Sequence, residues 1–146
     1  MKIAQIAPLC ERVPPPAYGG TEIVVSLLTD ELVRRGHEVT LFALGDSQTL
    51  AHLEPSCPQA LRLLEASPAE IAVYQSLQLD RVFAQAAEFD LIHSHIGEVV
   101  FPYTNLVETP TLHTVHGIIP PHLEPLWFNA RHQNFISISN SQRRND

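Results

Sequence analysis

Basic residues are scarce in this chain: nine lysines and arginines stand against 16 acidic side chains, for a formal net charge of -7. Four of these few cations fall in short pairs, Arg34-Arg35 and Arg143-Arg144, and the rest are scattered. That excludes the electrostatic footprint of a nucleic-acid surface and gives little support to an anionic-membrane patch. Cysteine is nearly absent. Cys10 and Cys57 lie far apart without CxxC spacing, so neither a disulfide framework nor a cysteine zinc site is indicated, and reduced thiols in the cytoplasm are expected. No apolar run approaches a membrane span, and the run after Met1 is cut by Pro8, too soon for a signal peptide. Neither GxGxxG nor GxxxxGK(S/T) occurs, so the dinucleotide oxidoreductase and the P-loop nucleotidase both fall away. No internal repeat or low-complexity tract is present.

What remains is the profile of one folded domain, since 146 residues with 45% hydrophobic content can bury a real core. Ile3, Ala4, Ile6 and Ala7 make a short apolar segment that reads as a buried parallel strand. The stretch Arg12 to Ala17, with Pro14-Pro15-Pro16, cannot be helix or central strand, and a loop in that position suits a mobile lid. From Thr21 to Arg35, Val24, Leu27, Leu28 and Leu32 recur at helical spacing, with Gly36 at the C-cap. Val39 to Leu44 follows as a second strand, completing a βαβ unit. The polar stretch Asp46 to Pro58 reads as turns, and Ala60 to Leu64 as a short edge strand or a helical turn. Pro68 opens a helix that the pattern carries through Phe89. Strands are expected over Asp90 to Ile96, Thr111 to Val115 and Phe135 to Ser139, with short helices in 97 to 107 and 120 to 132. Asn140-Ser141 reads as the cap of a further helix. Strands alternating with helices define an α/β fold, a doubly wound, mainly parallel sheet flanked by helices. With the first strand between the second and Asp90 to Ile96, ligands bind at the switch point beyond the strands' carboxyl ends.

Those ends collect the chemistry. Ala17-Tyr18-Gly19-Gly20-Thr21-Glu22 lies between the first strand and the first helix, where backbone N–H groups and the helix dipole favour an anion. Gly19 and Gly20 also allow close approach to the backbone. The plainer reading is a flexible turn with Thr21 capping the helix. His93 and His95 fall near the end of another strand, His116-Gly117 after the next, and Ser139 to Ser141 after the last. Their convergence on one cleft outweighs any single motif. His116, directly before a glycine, can bond a substrate hydroxyl or phosphate, or else fix the Gly117 turn. One of His93 and His95 could pack beneath the Gly-Gly turn and donate to its backbone. Ser139 and Ser141 suit a cap or phosphate contact better than a nucleophile. His93, His95, His113 and His116 invite a metal, but His113 and His116 would point to opposite sides and no carboxylate or thiolate completes a set. Asp46, Glu98 and Glu108 are carboxylates that no spacing pairs.

Taken together, KIAQIAP, YGGTE, RRGHEVTLFALGDS, DLIHSH, TLHTVHG and ISISNSQRR resemble the N-terminal, Rossmann-like domain of family 4 glycosyltransferases, retaining enzymes of GT-B fold. The resemblance spans nearly the whole chain. It implies sugar transfer from a nucleotide-sugar donor to an acceptor with retained anomeric configuration and no cofactor or metal. It also implies that Gly19 and Gly20 contact the donor diphosphate, that His116 lies by the transferred sugar as an orienting partner, and that Ser139 lies on the cleft floor. The acceptor would be met largely by this domain. GT-B enzymes carry a second domain that binds the donor; the chain ends at Asp146 without it, which leads us to expect a domain inactive alone. A non-catalytic binding or assembly domain, pairing with a partner chain or as a homodimer, is the alternative from another class. A GT-B-type sugar-nucleotide epimerase is the third.

Overall fold

The computed structural model describes residues 1–143. Its strands are β1 (Lys2–Ile6), β2 (Glu38–Leu44), β3 (His52–Cys57), β4 (Leu91–Ser94), β5 (Thr111–Val115) and β6 (Asn134–Ser137). They form one sheet in the order β3-β2-β1-β4-β5-β6, with every pairing parallel. The helices are α1 (Gly20–Arg34), α2 (Pro68–Ala84), α3 (Phe101–Thr104) and α4 (Glu124–Asn129). As expected, β1 lies between β2 and β4, so the strand order reverses beside β1.

Alternation along the strands divides the core into two faces. Ala4, Ile6, Phe42 and Ile92 pack with Leu79, Val82 and Phe83 of α2 and Phe101 of α3. Ala7, Leu41 and Ala43 pack instead with Val25 of α1. Burying side chains as large as Phe42 or Ile92 contributes about 1.5–3 kcal/mol each. Gln78, fully buried on α2, donates from Nε2 to the carbonyls of Ala7 and Phe42 at 3.0 Å each, tying that helix to β2 and to the chain leaving β1.

Several boundaries differ from the sequence pattern. The stretch read as turns contains β3, a sheet edge whose Pro55 interrupts the apolar alternation that marks a strand. Of the two alternatives for Ala60 to Leu64, the helical turn forms, with Leu63 N–H on the Ala60 carbonyl. The long helix stops at Ala84 and gives way to a 3₁₀ turn over Ala86–Glu88. On α1 the inward residues are Glu22, Val25 and Thr29, while Val24 and Leu27 face solvent. Apolar positions spaced for a helix thus lie partly outside, because the sheet accepts the narrower Val25 and Thr29 side. Gly36 ends α1 at φ +85°, and the bonds Gly36 N–H to Val33 and His37 N–H to Leu32 close a Schellman motif. After β6, residues 140–142 form a 3₁₀ turn. Continuation of the expected helix toward Asp146, and the Arg144 half of its basic pair, lie outside the described residues.

Candidate active-site cleft

The first half of the loop between β1 and α1, which the sequence suggested as a mobile lid, is tied to the body of the domain, while Pro16, Ala17 and Tyr18 are exposed. Val13 is buried, its N–H donates to Ser47 Oγ at 3.0 Å, and its carbonyl accepts from Gln48 N–H. Arg62 pairs with Glu11, and Leu61 N–H reaches the Leu9 carbonyl. This anchoring delivers the two glycines in distinct states. Gly19 is the N-cap of α1 at φ 147°, where a Cβ would stand 2.8 Å from both Pro15 Cβ and Glu22 Oε2. Gly20 would place a Cβ in open space. The first glycine therefore serves the turn, and the second leaves room for a ligand.

Thr21 does not cap the helix, because the cap is Gly19 and no side chain bonds there. Instead the Glu22 carboxylate lies beside the start of the helix, Oε2 standing 2.8 Å from where a Cβ on Gly19 would be. Burial raises its pKa, its own backbone N–H opposes this, and Glu11 nearby raises it further. The positive end of α1 thus already has a carboxylate beside it.

At the carboxyl ends of β4 and β5 the histidines meet. His95 Nδ1 lies 2.8 Å from His116 Nε2, and His95 Nε2 lies 2.9 Å from Gln5 Oε1. His93 stands behind, its ring 4.3 Å from that of His95, bonded to Thr114 Oγ1 at 2.7 Å and to Gln5 Nε2 at 3.4 Å. Neither His93 nor His95 bonds the Gly-Gly turn; both turn to Gln5, which alternation along β1 puts on the same side of the sheet. Burial drives His93 down to about 4 and His95 to about 2, helped by neighbouring histidines, and lowers His116 as well. All three rings are therefore neutral near pH 7.

His113 points to the other side of the sheet, as its spacing from His116 requires. Its ring packs on Phe101 and Phe135, and burial holds its pKa near about 4. Neither of its nitrogens is bonded among the described residues; the Gln133 amide faces it without completing a hydrogen bond. Among the described residues no three His, Cys, Asp or Glu side chains gather as a metal-holding set.

Two hollows open beside His116. One, of about 210 Å³, is lined by His95, Gly97, Glu98, Thr114, His116 and Gly117 together with Trp127 of α4. The other, of about 410 Å³, runs from His116 and Gly117 past Ile118 to Ser139 and Ser141. Gln142 closes this wall by donating to the Gly117 carbonyl at 2.6 Å and accepting from Ile138 N–H at 2.9 Å. Ser139 and Ser141 bond each other through their hydroxyls at 2.9 Å. His95, His116, Gly117, Ser139 and Ser141 thus share one region. Gly19 and Gly20 line neither hollow, and Asp46 and Glu108 are exposed elsewhere. Glu98 joins the site through its place after β4. Gln5, Thr114 and Gln142 are the residues that sequence reasoning missed. For Gln5 the signal was available, as a lone amide inside an otherwise apolar buried strand.

A six-stranded parallel sheet flanked by helices, with polar groups gathered at its carboxyl edge, is a Rossmann-like α/β domain of the kind found in GT-B glycosyltransferases. The model of glycosyltransferase family 4 matches residues 18–144, and the chain belongs to that family. It is similar to the crystal structure of AviGT4, a glycosyltransferase involved in avilamycin A biosynthesis, at 27% identity and a TM-score of 0.55, covering 80% of this chain and 32% of that one. Sucrose-phosphate synthase from Thermosynechococcus elongatus shares the fold at 19% identity and a TM-score of 0.58, covering 80% of this chain and 33% of that one. The chain thus spans about a third of the length of these structures. No curated protein sequence gives a significant match.

Proposed function

We propose that this chain is the acceptor-side, N-terminal domain of a retaining glycosyltransferase that moves a sugar from a nucleotide-sugar donor to an acceptor, without a metal or other cofactor. The observation that carries the reading is the His95–His116 pair at the edge of the sheet, beside two hollows, one of which runs to Ser139 and Ser141. In this reading His116 orients the transferred sugar, and Gly20 with the Gly19 turn meets the donor diphosphate through backbone N–H groups. Gly117, Ser139 and Ser141 line the cleft, and His93 and His95 support His116 from behind. A second domain, supplying the nucleotide pocket, completes the site, so the 146-residue chain is inactive alone. Its two free cysteines fit a cytoplasmic setting.

The test is an assay of sugar transfer by this chain with and without a complementary donor-binding domain. Transfer only in the combined protein, falling on the order of 10²-fold in His116→Ala, supports the reading. Robust transfer by the chain alone refutes the claim of incompleteness. Analysis of the product's anomeric configuration tests retention and separates transfer from epimerisation.

A second reading is favoured by α1, where Ile23, Val24 and Leu27 are exposed, Leu27 at 66%. Such a stripe suits an assembly domain that pairs with a partner chain or forms a homodimer. Sedimentation decides between monomer and dimer, and Leu27→Glu abolishes the dimer if the stripe is its seam.

A further inference from the structure

One hydrogen-bonded line runs through the interior behind His116. Thr114 Oγ1 lies 2.7 Å from His93 Nε2, and His93 Nδ1 lies 3.4 Å from Gln5 Nε2. On the other side of the amide, Gln5 Oε1 lies 2.9 Å from His95 Nε2, and His95 Nδ1 lies 2.8 Å from His116 Nε2. Gln5 is 0% exposed, so its two ends are shielded from bulk solvent. A neutral imidazole has one N–H and one lone pair, whereas the ends of a carboxamide have fixed roles: the oxygen accepts and the nitrogen donates. Gln5 is therefore the member that gives the line its polarity.

Its oxygen accepts from His95 Nε2–H, which leaves the lone pair of His95 on Nδ1. That lone pair accepts from His116 Nε2–H, which leaves the lone pair of His116 on Nδ1. Toward the other end, Gln5 Nε2–H donates to His93 Nδ1, and His93 Nε2–H donates to the Thr114 hydroxyl. Every bond is satisfied with neutral rings. Burial independently keeps His93 and His95 uncharged near neutral pH. His116 Nδ1 has no partner among the described residues, and His116 borders both hollows.

We propose that Gln5 is a positioning residue which, acting through His95, holds His116 in its Nε2–H tautomer, so that Nδ1 accepts a hydrogen bond from a ligand hydroxyl and does not donate one to a phosphate oxygen. The functional part rests on the transferase reading and deepens it, assigning His116 to a sugar hydroxyl and leaving the phosphates to the Gly19–Gly20 turn. The reverse orientation of the Gln5 amide would invert each bond and present Nδ1–H, a phosphate donor.

The tautomers can be read without turnover, by long-range proton–nitrogen NMR of the 146-residue chain carrying ¹⁵N-labelled histidine. Signals are assigned by their loss in His95→Ala and His116→Ala. The expected result is pyrrole-type Nε2 and pyridine-type Nδ1 for both His95 and His116, as single tautomers. Gln5→Met, close in length and apolar, should turn His116 into a mixture of tautomers while the other spectra report a folded chain. Pyrrole-type Nδ1 at His116 in the wild type overturns the proposal, whether or not the Met variant folds. An unchanged His116 in a folded Gln5→Met chain overturns the role of Gln5. Because neither readout uses donor or acceptor, failure here is distinct from failure of the transferase reading, which the transfer assay decides.

Discussion

Gly19 and Gly20 are neighbours with opposite sensitivities. An alanine at 19 would have to hold φ near 147° and would meet Pro15 and Glu22 at 2.8 Å, so Gly19→Ala should cost about 1–3 kcal/mol in urea denaturation. Gly20 is the first residue of α1, with helix-compatible backbone and open space beyond. Gly20→Ala should leave stability unchanged or raise it by about 0.4–1 kcal/mol, while weakening any nucleotide diphosphate binding seen by calorimetry. A large loss of stability at position 20 would remove the distinction. His113 gives a second contrast within one residue type. Its buried nitrogens are unbonded among the described residues and its ring already packs on two phenylalanines, so His113→Phe should be neutral or stabilising, by up to about 1–3 kcal/mol, in thermal melts. The sequence pattern put His93, His95 and His116 at strand ends correctly and set His113 on the opposite side from His116. It could not say that Gln5 stands between the first two, because that contact spans some 90 positions of chain.

At the scale of elements, α2 is held by more than its apolar face. Gln78→Leu leaves the Ala7 carbonyl without the amide that reaches it, while the Phe42 carbonyl keeps its bond from Ala7 N–H, and should lower stability by about 1–3 kcal/mol with the fold retained. An unchanged denaturation midpoint would mean the Ala7 carbonyl is satisfied without it. Period and punctuation located α1, β2, β4, β5, β6 and the start of α2 to within a few residues, since a strand between turns or a helix after Ser67-Pro68 is encoded locally; Ser67 and Glu70 form a full capping box. What local pattern missed was β3, whose residues become a strand by pairing with β2, and the inward side of α1. There the apolar count favours a face with Val24 and Leu27, yet Val25 and Thr29 fit the sheet.

For the whole molecule the buried histidines set the acid limit. Each of His93, His95 and His113 has a folded pKa below the ordinary value of 6.5, so the unfolded chain takes up protons first as pH falls. Their contribution is intact above about pH 6.5 and is lost progressively below it, levelling off near about 4 for His93 and His113 and near about 2 for His95. Each costs up to roughly 1.4 kcal/mol per pH unit in that window. Melting temperature followed by circular dichroism should therefore fall steeply between about pH 6.5 and 4, and less steeply in His113→Phe; a flat profile would contradict the burial of these rings. By itself the sequence determined the α/β class, the switch point beside β1 and the list of groups at the strand ends, because periodicity and turn chemistry act over a few residues. Only the tertiary structure decided which groups meet. It joined His95 to His116, placed Gln5 behind both, kept Gly19 and Gly20 out of their hollows and laid Glu22 at the start of α1, since each of these depends on packing between segments that are distant in the chain or on how a helix face meets the sheet.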